Sequence, residues 1–132
     1  MRKTIAIIIC IVLIVSTSLI GYLVVSANTE VKIEENIIEK QNEIQKDFKI
    51  YGYTFDNPNI IINPYEISPL TALIIFETKT EEKVTLTIIG KNDDNITNTF
   101  EKSTKHYIPV YGLYPDYDNK ISLTIGDTTK EF

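Results

Sequence analysis

The chain of 132 residues holds one histidine and one cysteine, so nucleophilic or metal chemistry has few places to sit. His106 follows Ser103-Thr104-Lys105. Ser103 is too near in sequence to be its strand-mate nucleophile, and no Gly-x-Ser-x-Gly elbow exists. His106 reads as a solvated histidine at the start of a strand. Cys10 lies inside an apolar run, which leaves no thiol and no disulfide in the remainder. A lone histidine without cysteines cannot build a zinc site. Asp93, Asp94, Asp116 and Asp118 would suit calcium only if their loops converged, and the same residues are ordinary turn chemistry. No metal and no cofactor is expected. Asn95-Ile96-Thr97 matches a glycosylation sequon, and no glycine-rich phosphate loop is present. Seven of the eight tyrosines, at 51, 53, 65, 107, 111, 114 and 117, supply either a binding surface or amphipathic core and rim.

The elements that must position these residues begin with Met1-Arg2-Lys3 and an apolar run from Ile5 to Val25. A signal peptide fits the basic start and the Val25-Ser26-Ala27 site. A membrane anchor fits the length, about 32 Å of helix. Length favours an uncleaved anchor through residues 4–25, and either reading puts the remainder outside the cytoplasm, in the cell envelope or secreted, because Arg2 and Lys3 stay inside. After that run come 11 basic against 18 acidic residues. This acidic balance argues against nucleic acid and anionic membrane surfaces as partners.

Residues 28–49 carry Val31, Ile33, Ile37, Ile44 and Phe48 near helical spacing. They read as a spacer helix, or as a helix packing on a partner domain through Ile37, Ile44 and Phe48. From Ile50 the chain is β. Ile50–Phe55 and Ile60–Ile62 are short strand candidates. Leu70–Phe76 is apolar on both faces, as a strand covered on both sides requires. Thr78–Glu82 reads as a polar loop, Val84-Leu86-Ile88 alternate with threonine, and Ile96–Glu101 reads as an edge. The run from His106 to Ile125 reads as strand, corner, strand. Leu113, Tyr114, Pro115 and Tyr117 form a corner in which a hydroxyl of Tyr117, or else Tyr114, would bond nearby backbone. Leu123 should face the core and Thr124 the solvent. Seven short strands without a later helix indicate an all-β, immunoglobulin- or fibronectin-III-like sandwich over residues 50–132, behind a membrane or signal helix (1–27) and a short spacer helix. Gly126-Asp127-Thr128-Thr129 opens a hairpin, and the strand it starts has three residues left. The sandwich is therefore expected to be truncated at its C-terminus, as a fragment or a split product.

Two stretches carry a resemblance. Asn63-Pro64-Tyr65-Glu66-Ile67-Ser68-Pro69-Leu70-Thr71 and the residues that follow to Ile75 resemble a segment of the N-terminal domain of the bacterial aryl-sulfate sulfotransferase family. The stretch from His106 to Ile121, with Leu113-Tyr114-Pro115-Asp116-Tyr117 at its centre, resembles a second segment of that domain. The resemblance covers roughly Tyr51 to Ile125. It implies a small β-sandwich that precedes a β-propeller in an exported enzyme. There a propeller histidine relays sulfate from a phenolic ester to a phenol. No residue here matches that histidine, since His106 belongs to the sandwich motif. The chain alone is therefore expected not to transfer sulfate, because a sulfuryl relay needs an activated nucleophile and donors for the sulfate oxygens. The implied partner is a catalytic propeller in the same or an adjacent polypeptide. A homodimer is compatible, and the competing reading is a stand-alone, membrane-tethered binding module.

Overall fold

The computed structural model describes residues 2–92 and 94–132, with side chains from residue 13 onward. Arg2, Lys3, Cys10 and Asp93 thus lie, as side chains, outside the described residues. The chain divides into two compact units, Met1–Glu39 and Lys40–Phe132.

One helix, α1 (Arg2–Tyr51), runs through the first unit and into the second. The helix continues from the apolar run into residues 28–49. No glycine or proline lies at residues 22–51 to interrupt it, and Thr29 satisfies its hydroxyl on the Val25 carbonyl at 2.9 Å without leaving the helix. Ser16, Thr17 and Ser18 do the same one turn back, on Leu13 and Ile14. Such back-bonding hides hydroxyls that an apolar medium would penalise. The side chains from Leu13 to Val25 are exposed. The helix is long and apolar enough to cross a membrane, by length and composition.

The second unit carries five strands: β1 (Asn59–Ile62), β2 (Thr71–Ile89), β3 (Ile96–Tyr111), β4 (Lys120–Ile125) and β5 (Thr128–Glu131). All are antiparallel in one curled sheet, in the order β1-β2-β4-β5 with β3 also on β2. The expected seven short strands become five: two pairs fuse, one candidate forms no strand, and the final run adds β5. Leu70–Phe76 and Val84–Ile88 lie in one strand, β2, and the weak edge at Ile96 continues through His106 to Tyr111 as β3. Thr78–Glu82, expected as a loop, lies inside β2 at a bend. From Glu77↔Lys105 to Glu82↔Ser103, β2 advances five residues while β3 retreats two, and the excess curls the ribbon. Each long strand thereby serves two layers, and the immunoglobulin-like, all-β architecture holds. Ile50–Phe55 forms no strand. The helix takes its first residues, and only Thr54 bridges to Asn57 and Glu77.

The bend folds Ala72, Ile74 and Phe76 over Val84, Leu86 and Ile88, and Ile108, Val110, Ile121 and Leu123 complete one core. Leu123 is fully buried and Thr124 is not, as the alternation of β4 requires. On the solvent side of the second layer, threonines pair across strands: Thr85 with Thr99 at 2.9 Å, Thr87 with Thr97 at 3.1 Å and Thr124 with Thr129 at 2.8 Å. β5 pairs with β4 along its length, and Phe132 exchanges two backbone hydrogen bonds with Ile121 and packs on the core. The short final run is thus a paired strand, not an unpaired start.

The outer face of the first layer is dry as well. Leu73 and Ile75 of β2 meet Ile44 and Phe48 of the last helical turns in a second cluster. These helical residues cover the chain's own sheet, a role that neither the spacer nor the partner-domain reading of 28–49 contained. The physical cause is the two-sided apolar run of β2, which needs a cover on each face.

Candidate interaction surface

The residues from Asn63 to Thr71 form the loop between β1 and β2. Asn63 takes a left-handed backbone (φ 48°), which asparagine tolerates. It closes the loop three ways. Its N–H donates to the Thr71 carbonyl, its carbonyl accepts from the Glu66 N–H, and its side-chain oxygen accepts from the Ser68 N–H, each at 2.9 Å. Thr71 Oγ1 donates to the Ser68 carbonyl at 2.7 Å. Lys40 pairs with Glu66 at 3.2 Å, tying the loop to the helix. The Glu66 carboxylate, then Glu43, hold the Lys40 ammonium above its ordinary value. Pro69 and Leu70 are exposed at the loop's end.

Leu113 to Asn119 form the other family-like turn. Its anchor is Asn119. The side-chain oxygen accepts from the Tyr114 N–H at 2.8 Å, and Nδ2 donates to the carbonyls of Tyr114 (2.9 Å) and Tyr117 (3.0 Å). Among the described residues neither Tyr114 nor Tyr117 bonds backbone through its hydroxyl, so an asparagine holds the corner that a tyrosine was expected to hold. Asparagine wins because its amide offers donor and acceptor at once within five residues. The two rings instead meet edge to face at 5.6 Å, with the Lys91 ammonium 4.6 Å from each ring centre. Leu113 is half-buried against the core, and Pro115 is exposed.

The fold brings the two stretches together. Leu113 N–H donates to the Leu70 carbonyl at 3.3 Å, and Thr71 pairs with Tyr111 in the β2–β3 register. Beside this junction lies an open, largely apolar cavity of about 390 Å³. Pro64, Tyr65 and Ile67 of the loop form one wall, and Tyr107, Pro109 and Tyr111 of β3 form the other. The β3 residues share a face because they alternate along the strand. Tyr107 also meets Phe48 edge to face at 5.2 Å. Burial, then the Glu77 carboxylate, push its phenol up, so it stays a neutral hydroxyl donor. Ile67, Leu70 and Tyr111 stand exposed around the opening.

Little here can do covalent chemistry. His106 is 2% exposed, not solvated at a strand start. The extension of β3 back to Ile96 puts it in mid-strand, opposite Phe76, on the core side. Asp116 and Asp118 lie in the Asn119 turn. No group of three or more candidate metal ligands occurs among the described residues. The sequon asparagine, Asn95, accepts the Gly90 N–H at 3.0 Å and closes the β2–β3 turn. A side chain at Gly90 would collide with the Asp94 carbonyl, so glycine is required there.

A family model described as the arylsulfotransferase Ig-like domain matches residues 59–131, from β1 to β5. The chain is 33% identical over 76 residues to the arylsulfate sulfotransferase AssT of Lelliottia amnigena, covering 54% of this chain and 13% of that protein. It is 30% identical over 69 residues to the arylsulfate sulfotransferase AssT of Escherichia coli O6:H1 (strain CFT073), covering 48% of this chain and 12% of that protein. The chain therefore spans about an eighth of the length of these curated relatives. No solved structure matches it. The chain belongs to the arylsulfotransferase Ig-like domain family.

Proposed function

We propose that the sandwich is the non-catalytic, N-terminal module of an arylsulfate sulfotransferase system, and that it docks a catalytic β-propeller of the same or an adjacent polypeptide. The observation that carries this is the convergence of the two family-like stretches on one apolar opening ringed by Tyr65, Tyr107 and Tyr111. Tyrosine-rich apolar patches with a firm backbone beneath them are typical of protein interfaces. The module's one histidine is enclosed in the core. The N-terminal helix tethers the module to a membrane if it is not removed, on the extracytoplasmic side.

The test is binding. The full chain in detergent micelles, titrated with the Lelliottia amnigena enzyme lacking its own matched segment, should form a complex. Tyr111→Glu and Ile67→Glu should each weaken it about tenfold or more, the size of one lost interface anchor. No complex, or one indifferent to both changes, overturns the reading. Self-association of the chain through the same residues would favour a homodimer instead.

A further inference from the structure

The buried histidine is an ionisable group that the docking role does not use. His106 stacks on Phe76 at 4.7 Å between ring centres, 23° from parallel, and Phe55 packs against the same Phe76 at 5.7 Å. His106 Nε2 lies 3.0 Å from Thr78 Oγ1. The Thr78 hydroxyl has one proton, and two carbonyls are in reach of it, Thr80 at 2.8 Å and Ser103 at 3.4 Å. With its proton on either carbonyl the hydroxyl accepts from the ring, and the neutral imidazole carries its hydrogen on Nε2. Thr80 in turn donates to the Glu82 carboxylate at 2.8 Å. These bonds line the inside of the bend, residues 78–82, where the β2–β3 register breaks. The backbone ladder is interrupted there, so side chains hold the curl.

We propose that His106 is an acid-sensitive latch: a proton on its imidazole releases the bend in the β2–β3 ribbon and loosens one half of the sandwich from the other. The cause is electrostatic. A neutral imidazole stacks on Phe76 without giving up a charge's hydration, whereas an imidazolium in the same place loses that hydration, and attraction to the Phe76 face offsets the loss only in part. Burial already holds the His106 imidazole below its ordinary value, and the half-buried Glu82 carboxylate opposes this in part. Two ion pairs flank the site without facing the ring. Glu77 with Lys105, 3.6 Å apart, lies at the next ribbon step, on the opposite face, and Asp56 with Lys130 lies beyond Phe55. Because the folded state resists the proton, the latch is closed above the unfolded-state value of roughly 6.5 and weakens as pH falls through it toward the lower folded value.

The chain's single histidine makes the test direct. In the full chain in detergent micelles, the imidazole resonances should titrate below the ordinary value. After correction for intrinsic exchange, amides of residues 77–82 and 103–107 should open more often at pH 5.5 than at pH 7.5, by up to about tenfold, the ceiling that one pH unit below the unfolded-state value sets. His106→Gln, which keeps a donor for Thr78 and cannot become charged, should abolish that difference. An ordinary or raised titration, or exchange at the bend that is indifferent to pH, overturns the proposal. So does a glutamine variant that keeps the wild-type pH response. If that variant fails to fold, the titration and exchange in the unaltered chain still decide.

Discussion

The two halves of β2 belong to one strand and live in different surroundings. From Ala72 to Phe76 every residue is buried; from Val84 to Ile88 burial alternates with half-exposed threonine. The first half is roofed on its outer face by Ile44 and Phe48, and the second has water there. A strand covered on both sides reads as a continuous apolar run and one covered on a single side reads as an alternation. The difference in composition along β2 thus records where the helix docks. It also locates the bend, because the polar residues 77–83 fall where the strand passes from one layer to the other.

The largest change should come from the residue at the centre of the core. Phe76 contacts Phe55 on one side and His106 on the other. Phe76→Ala should cost about 3–5 kcal/mol, a large part of the roughly 5–15 kcal/mol that holds a domain of this size. Urea unfolding of the full chain in micelles should show most of the folded population lost. A loss below about 1 kcal/mol would mean that the two layers do not share this core.

Next in size is a change that makes the roofed half resemble the open one. Ile75 is fully buried beneath the helix. Ile75→Thr removes buried apolar surface and places a hydroxyl where nothing is shown to accept it, at a cost of about 2–4 kcal/mol. The loss should fall on the helix, with faster amide exchange from Ile44 to Tyr51 than in β4. Equal loosening of both would show that the helix is not a separate cover.

The same contrast explains what could be read beforehand. Periodicity placed Leu123 inward and Thr124 outward, since a period of two leaves no other arrangement once one face is buried. It also showed that Leu70–Phe76 needs two covers. It did not show that Ile44 and Phe48 supply one, because an amphipathic helix declares its apolar stripe and not the partner of that stripe. The fused strands were hidden for a related reason. Residues 78–82 have loop composition, yet the strand stays continuous through them, with the Thr78 and Thr80 hydroxyls bonded to the Thr80 carbonyl and the Glu82 carboxylate within the bend. Enclosure of His106 followed from that continuity and was invisible without it. Of the corner, the turn residues were legible, but the choice between a tyrosine hydroxyl and the Asn119 amide depends on a loop geometry that no periodicity encodes.

The smallest effect belongs to the open half. Thr87 bonds Thr97 through hydroxyls on the solvent side, at 3.1 Å. Water competes for both groups, so little net energy resides in the bond. Thr87→Val keeps the β-branched shape that a strand favours and removes only the hydroxyl. The folding free energy should move by no more than about 0.5 kcal/mol, and the solvent-facing Thr97 hydroxyl will turn to water. The logic is the reverse of that for Ile75→Thr: a hydroxyl is removed rather than introduced, on a face where neither state is desolvated. A loss above about 1 kcal/mol at Thr87 would show that something covers the threonine face in solution. The docking surface would then lie on the second layer, and the comparison between the two halves of β2 would have to be redrawn.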